Sequence, residues 1–244
     1  MSRAAVGRWP ELRSGPGTKL FEVADQAILR MKYLCFLFLL SLSGCATNIT
    51  VKGTVPTPLV AKAPVKVGVY YSPDFRKFRH QEVVDQRSTY NIDFGAQNLS
   101  FFRTLMSAMF QSVVEIQQPP PLAPGTAPQL DGIIVPEIVK YGFLTPEISG
   151  LNFYSASINY RITLYNRDGK RVGEWMLVGY GKSEAGLFGG DEALASATLL
   201  AIRDGSARIA IDIPKDPAFV AWVQESANRT AENSVVPSKE GGGP

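Results

Sequence analysis

The chain has 244 residues, of which 45% are hydrophobic and 19% are charged, and its formal net charge is +3. This length accommodates one large domain or two small ones, with enough apolar side chains for a packed core. A mean hydropathy near zero excludes a protein with several membrane spans. Two cysteines and one histidine exclude a zinc-finger array, an iron–sulfur protein and a disulfide-stapled scaffold.

The excess of positive charge lies at the amino terminus. Residues 1–44 hold six of the 25 Lys and Arg residues and three of the 22 Asp and Glu residues, so 19 of each remain beyond residue 44. A chain cut at that point is formally neutral. Because nucleic-acid binding depends on neutralising phosphate charge, this balance predicts no nucleic-acid partner.

Residues 31–44 have the pattern of a signal peptide. Lys32 supplies one positive charge, and Tyr33 to Leu42 form an apolar run of ten residues. About 20 helical residues are needed to cross a bilayer, so this run is too short to span one and matches the apolar region of a signal peptide. The run leads into Leu42-Ser43-Gly44-Cys45, which resembles the lipobox of bacterial lipoproteins.

The lipobox resemblance implies that Cys45 is acylated. In that family the peptide bond between Gly44 and Cys45 is cleaved, the thiol carries a diacylglycerol thioether, and the freed amine takes a further acyl chain. Each buried CH₂ group contributes about 0.8 kcal/mol, so two or more chains form a stable anchor where one would not. Cys35 is removed with the leader, so no intramolecular disulfide is expected. The alternatives are a plain secretory signal and a short buried helix.

Residues 1–30 do not fit a signal peptide. They place Glu22 and Asp25 ahead of the apolar run and are rich in Gly, Pro and Arg. We hypothesise that Met31 is the true start and that residues 1–30 are a disordered upstream extension. The alternative is a long amino-terminal region that begins at Met1.

The first elements after the leader are a tether, a strand and a helix. Residues 45–64 contain three prolines and few charges, and they are predicted to form an extended, lipidated tether. The alternation in Val65–Tyr71 predicts a strand, and the polar residues 72–93 predict a loop. A helix is expected to begin at an Asn98 cap and to run to about Phe110.

The remaining elements are predicted to be a meander of strands closed by helices. In residues 154–165, Tyr160 and Ile162 lie on an alternating apolar face and are expected to be buried. Asn166-Arg167-Asp168-Gly169 predicts the hairpin turn that follows. The other expected elements are strands at 113–116, 131–143 and 172–181, a proline-rich loop at 117–129, helices from Asp191 and after Asp216-Pro217, and a disordered tail at 227–244.

These elements predict one α+β domain over residues 65–226, in the order β-α-β-β-β-β-α-α. Its mainly antiparallel sheet of four to five strands is expected to be covered by helices. The order resembles that of small periplasmic lipoproteins that serve envelope machines. These are the lipopolysaccharide-assembly lipoprotein of the outer-membrane translocon, the transport-auxiliary lipoproteins and the amino-terminal domain of TolB. The resemblance implies an accessory role.

The candidate contact site is the basic segment, which consists of Arg76, Lys77, Phe78, Arg79 and His80. Such a segment is suited to an anionic headgroup, a lipopolysaccharide phosphate or an acidic partner. The alternative is a solvated basic loop. His80 is the only histidine and has no identifiable nucleophile beside it in the sequence. The pattern therefore predicts neither a catalytic centre, nor a metal site, nor a cofactor.

The sequence favours a non-enzymatic, lipid-anchored accessory or scaffold in cell-envelope assembly or transport. Its expected partners are the membrane and an envelope protein. The alternatives are a binding module for an amphiphile or polysaccharide and, as the weakest, a hydrolase. In lipoproteins an aspartate after the acylated cysteine tends to retain the protein in the inner membrane. Ala46 stands at that position, so in a host with two membranes we expect the outer membrane, on its periplasmic side.

Overall fold

The structure is a computed structural model of the chain. It describes residues 31–32, 45–54, 56–84, 88–122, 129–184 and 189–235. The chain divides into two compact units, Met1–Cys45 and Ala46–Pro244. The interpretation of residues 1–30, the apolar run of the leader and Gly44 all lie outside the described residues.

The described elements are eight strands and five α-helices. The strands are β1 (Cys45–Thr50), β2 (Ala63–Tyr70), β3 (Arg79–Val84), β4 (Ser88–Asp93), β5 (Phe110–Ile116), β6 (Gly132–Leu144), β7 (Tyr154–Asn166) and β8 (Arg171–Ser183). The helices are α1 (Pro73–Arg76), α2 (Gly95–Met109), α3 (Pro146–Ser149), α4 (Gly190–Asp212) and α5 (Pro217–Val235), with a 3-10 turn at Ile213–Lys215.

A five-stranded sheet in the order β5-β2-β6-β7-β8 forms the centre of the fold, and the predicted α+β class is confirmed. β6, β7 and β8 form an antiparallel meander, as expected. β2, however, runs parallel to both β5 and β6, so the sheet is mixed rather than mainly antiparallel. Parallel neighbours require a crossover, and the segment from α1 to α2 supplies it between β2 and β5.

The buried face of β7 is the one that the sequence predicted. Tyr160 is 0% exposed and Ile162 is 2% exposed, so the expectation for both is confirmed. The opposite face is drier than expected, because Ser155 and Thr163 are buried as well. At the end of β7 the side chain of Asn166 accepts hydrogen bonds from two backbone amides of the turn, which closes the predicted hairpin.

Helix α4 lies directly on the edge strand β8. The approach depends on Gly179 and Gly181, because a Cβ atom at either position would overlap a backbone carbonyl oxygen of α4. Gly205 of α4 faces them and packs against the ring of Tyr160. Three glycines therefore allow the helix to approach β8 more closely than ordinary side chains would permit.

A second sheet, in the order β1-β4-β3, forms where a tether and a polar loop were predicted. Its hairpin packs on the main sheet through aromatic rings: His80 lies 5.0 Å from Tyr141, and Tyr90 lies 5.2 Å from Phe143, between ring centroids. These contacts are not apparent from the polar sequence of residues 72–93, because only a few of its side chains face the core. The predicted loop at 72–93 and the predicted tether at the start of 45–64 are therefore both wrong where these strands form.

Two helix boundaries also differ from the prediction. α2 begins at Gly95, and Asn98 is a fully buried residue inside it rather than its cap. α5 begins at Pro217, with the carboxylate of Asp216 accepting hydrogen bonds from two amides of its first turn, as expected. It continues to Val235, so residues 227–235 are helical rather than part of a disordered tail.

Candidate functional site

The predicted lipidation residue, Cys45, is the first residue of β1. β1 is an outer strand of the second sheet, next to β4. The amide nitrogen of Asn91 donates to the side-chain oxygen of Asn48 over 3.1 Å, and the backbone N–H of Val51 donates to the carbonyl of Asp93 over 3.0 Å. Both contacts have nearly the same sequence offset, so β1 and β4 run in the same direction. A regular strand thus begins at the residue that the lipobox marks.

The chain that follows β1 is held on the domain instead of extending from it. Gln97 of α2 bonds to Gly53 twice, accepting from its N–H over 3.2 Å and donating to its carbonyl over 2.7 Å. Arg203 of α4 donates to the carbonyl of Thr54. Gly53 also lies against the side chain of Leu199, which would have to shift to admit a Cβ atom at this position. Residues 45–54 therefore do not form the extended tether that was predicted.

Arg76, the first residue of the basic segment, is engaged in an ion pair. Its guanidinium donates to Glu115 on β5 and to the carbonyl of Tyr71, and it lies 5.7 Å from the centroid of the Tyr71 ring. Arg103 of α2 donates to the other oxygen of Glu115 over 2.9 Å. The carboxylate of Glu115 therefore links α1, α2 and β5, and it neutralises the charge of Arg76.

The carboxyl group of Glu115 responds to these partners. Its partial burial acts to raise the pKa, but the hydrogen bonds and positive charges of Arg76 and Arg103 outweigh that effect, and the pKa is lowered from its usual value of 4.5. Glu115 is therefore ionised whenever the surrounding solution is near neutral. The sequence did not single out Glu115, because a lone acid on an alternating strand carries no local signal of its partners.

Two other members of the basic segment also have partners. Arg79 pairs with Asp93 over 2.8 Å, and the ring nitrogen Nε2 of His80 lies 2.8 Å from Glu82. The Arg79–Asp93 pair joins β3 to β4, whereas the His80–Glu82 contact lies within β3. The two carboxylates also reduce the positive field of the segment at the surface.

Phe78 and Lys77 complete the segment. The Phe78 ring packs on Phe94, 4.9 Å away between centroids, whereas Lys77 is exposed and no ion pair is found for it within the described residues. A polar cleft of about 480 Å³ runs beside them, lined by Ser72, Asp74, Phe75, Lys77, Phe78, Arg79, Glu137 and Ile138. The structure thus brings Lys77, Phe78 and Arg79 to one cleft and turns Arg76 and His80 to other neighbours. Their role as an anion or partner contact stays a prediction.

A second concavity lies between residues 57–62 and the outer face of α2. This groove has a volume of about 660 Å³ and is lined mainly by apolar atoms of Pro58, Leu59, Val60 and Ala108, with Thr57, Lys62, Arg103, Thr104 and Ser107 around them. Leu59 is fully exposed. The sequence pattern predicted only an extended segment here and gave no sign of a groove.

The described residues contain neither a metal-binding cluster nor a membrane-spanning helix. No group of three or more His, Cys, Asp and Glu side chains there is placed to hold a metal ion. None of the helices in that part of the chain is both long and apolar enough to cross a bilayer.

Comparison with known proteins finds only distant structural likeness. No family model and no curated protein matches the chain. It is similar to a Xanthomonas campestris protein of the DUF330 family, with 12% identity, coverage of 76% of this chain and 99% of that one, and a TM-score of 0.45. It is also similar to a minor lipoprotein from Acinetobacter baumannii, with 16% identity, coverage of 70% of this chain and 96% of that one, and a TM-score of 0.30. A candidate lipoprotein from Caulobacter crescentus has 9% identity, with coverage of 53% of this chain and 83% of that one, and a TM-score of 0.33. Likeness this distant carries no argument about function.

Proposed function

We propose that this chain is a bacterial lipoprotein, anchored by acyl chains on Cys45, that serves as a non-enzymatic accessory or scaffold in envelope assembly or transport. The observation that supports it is the junction at Cys45. A signal-like run ends in Leu42-Ser43-Gly44-Cys45, and the strand β1 begins at that cysteine. Cleavage before Cys45 would therefore leave β1 whole.

The fixed course of residues 45–54 limits how such a protein works. Ala46 belongs to β1, and Gly53 and Thr54 are bound to α2 and α4. A lipoprotein with a long free linker samples a wide volume of the periplasm. Here the folded unit would stay beside the membrane surface, so we expect it to act on partners at that surface rather than at a distance.

Substitution of the two cysteines tests the anchor. Cys45→Ala is expected to leave the domain folded and to move the protein from the membrane fraction to the soluble fraction. Cys35→Ala is the matched control, because its cysteine lies in the leader and should leave the membrane association unchanged. Intact mass after detergent extraction reports the acyl chains directly. Continued membrane association of Cys45→Ala would show that the anchor lies elsewhere.

The proposed envelope partner is expected to use the cleft beside the basic segment. Lys77 and Arg79 are exposed at its rim, and Phe78 is half-buried in its wall. A photo-crosslinking side chain at Lys77 in the acylated protein should capture a discrete envelope protein in native membranes. The same group at Val220, an exposed residue of α5, is the control. Equal capture from both positions would count against a contact at this cleft.

The groove beside α2 favours a second candidate function, a binding module for an amphiphile. Leu59 and Val60 face Thr104 and Ala108 across a space large enough for an alkyl chain. Thr104→Trp would fill this groove without touching the cleft at Lys77. If the variant loses extracted lipid or added detergent while crosslinking at Lys77 persists, the groove is a ligand site. If it loses neither, the accessory reading stands alone.

A further inference from the structure

The connection between β6 and β7 exposes apolar side chains at one end of the domain. Leu144, Ile148 and Leu151 are 42%, 42% and 53% exposed, and we name these three residues the apolar tip. They are closely spaced along the chain, around the short helix α3. Large apolar side chains that cluster on a surface mark a contact with a partner or a membrane, whereas single ones carry no such meaning.

The apolar tip is a built turn. The carbonyl of Thr145 accepts hydrogen bonds from the N–H and the hydroxyl of Ser149, and the same hydroxyl oxygen accepts from the N–H of Leu151. Gly150 ends the turn in the left-handed region, with φ of +69°. These bonds fix the backbone, so Ile148 and Leu151 are presented outward at little further entropic cost.

The hairpin of the second sheet reaches the same end of the domain. His80 packs on Tyr141, and Tyr90, which is paired with Glu82, packs on Phe143. The two residues from His80 to Glu82 on β3 therefore match the two residues from Tyr141 to Phe143 on β6, and both strands run toward the apolar tip. The next residue of β3 is Val83, whose side chain alternates to the opposite face of β3 from Glu82 and is 61% exposed.

The start of β1 lies at that end too. The contacts of Asn48 and Val51 with β4 place Ala46 level with Thr89, and Thr89 is paired with Val83 across the hairpin. Ala46 is the residue that follows the proposed acylated cysteine. The acyl chains on Cys45 would thus be attached one residue before Ala46, with no free linker between them and the second sheet.

We infer that the apolar tip and Val83 enter the headgroup layer of the phospholipid bilayer that holds the acyl chains. This inference rests on the proposed lipid anchor. The occupant is a membrane, because the chain next to the attachment point is fixed and brings this end of the domain to the lipid surface. Apolar side chains of amphipathic segments lie about 5–10 Å deep in this layer.

The charges around the apolar tip do not favour anionic lipid over neutral lipid. Lys182 lies over the ring of Phe153, 4.2 Å from its centroid, and supplies a cation at the rim. Glu147 supplies an anion within α3 itself. We therefore expect the contact to be driven by apolar burial and to form on phosphatidylcholine at physiological salt.

Site-specific labelling of the acylated protein tests the inference. With Cys35 removed and Cys45 acylated, Leu151→Cys gives the mature chain one free thiol for an environment-sensitive dye. Ile211→Cys is the matched control, since Ile211 is 49% exposed. α4 begins against the hydroxyl of Tyr154, just after the apolar tip, so Ile211 lies about 32 Å away along the helix.

The acylated variants are reconstituted in phosphatidylcholine vesicles with and without brominated lipid. We expect the dye at Leu151→Cys to be quenched at least twofold more than the dye at Ile211→Cys. Equal, water-like signals from vesicles that carry the protein would overturn the inference and leave the anchor intact. Protein that fails to float with the vesicles would overturn both. Quenching that disappears as the protein is diluted in lipid would assign the apolar tip to a second copy instead, and that too would overturn it.

Discussion

The hydroxyl of Tyr160 on β7 donates a 2.7 Å hydrogen bond to the side-chain oxygen of Asn98 on α2, and both residues are 0% exposed. This bond joins the main sheet to the helix through the middle of the core. The side-chain amide nitrogen of Asn98 has no hydrogen-bond partner among the described residues. The bond from Tyr160 is therefore the one found for the Asn98 side chain in that part of the chain. The pair fixes which turn of α2 faces which residue of β7.

Tyr160→Phe should lower the free energy of unfolding by about 1–3 kcal/mol, because it leaves a buried amide without its partner. The double variant Asn98→Leu/Tyr160→Phe should cost less than the sum of the two single changes, since it removes both polar groups together. Urea denaturation measures all three variants. Tyr180→Phe, at a position that is 52% exposed, is the control and should change little. Additive losses would contradict a direct coupling between the two side chains.

Gly179→Ala should destabilise the domain by about 3 kcal/mol or more, because the added Cβ atom would overlap the carbonyl oxygen of Ala201 and force α4 away from β8. Gly142→Ala is the matched control in the same sheet. A Cβ atom there would meet only the hydroxyl of Ser157, at 3.6 Å. Thermal denaturation should separate the two variants clearly. Similar melting temperatures would show that α4 can shift outward at little cost.

Glu115→Gln should reduce stability at neutral pH and much less in acid. The folded-state pKa of Glu115 is lowered, so its ionised form stabilises the fold above the usual carboxyl pKa of 4.5, and this contribution is lost as the pH falls through the lowered value. Urea midpoints of the wild type and the variant should therefore converge as the pH falls below 4.5. Glu225→Gln breaks only an exposed pair with Arg229 on α5, and it should cost under about 0.5 kcal/mol. A gap that is constant with pH would assign the loss to packing.

Ala46→Asp tests the expected sorting to the outer membrane. The side chain of Ala46 is exposed on β1, so an aspartate can be placed there without disturbing the core. Separation of the two membranes on a density gradient should find the wild type in the outer fraction and the variant shifted toward the inner fraction. Ala46→Ser is the control and should stay with the wild type. A wild-type protein that is already in the inner fraction, and is not moved by the substitution, would refute the sorting prediction alone.

The sequence predicted the elements whose signals are local. The alternation along Tyr154 to Leu164 is visible residue by residue, because every second side chain meets the core. The Asn166 turn is equally local, since one side chain bonds to the backbone within four residues. These are the parts of the fold in which the prediction and the structure agree in detail.

The second sheet could not be predicted in the same way. β3 reads Arg-His-Gln-Glu-Val-Val, and its place in the fold depends on rings that are distant in sequence, such as His80 on Tyr141. The prediction that Asn98 caps its helix was wrong for a related reason. An asparagine near the start of a helix resembles a cap, and only its distant partner Tyr160 shows that it belongs inside. The candidate site was the part that the sequence predicted least well. The ion pairs of Glu115, the position of the apolar tip and the anchored course of β1 all depend on contacts between distant segments.

The way in which β1 joins the domain also has a mechanical consequence. A pull on the membrane anchor would enter the domain at Ala46 and act along the axis of β1. Because this pull acts along the strand axis, it strains the contacts between β1 and β4 together, in shear, instead of opening them one after another. Tension that passes beyond β1 would next reach α2 through Gln97 and α4 through Arg203. A force between the membrane anchor and a bound partner would therefore load the contacts with α2 and α4 before it reached the main sheet.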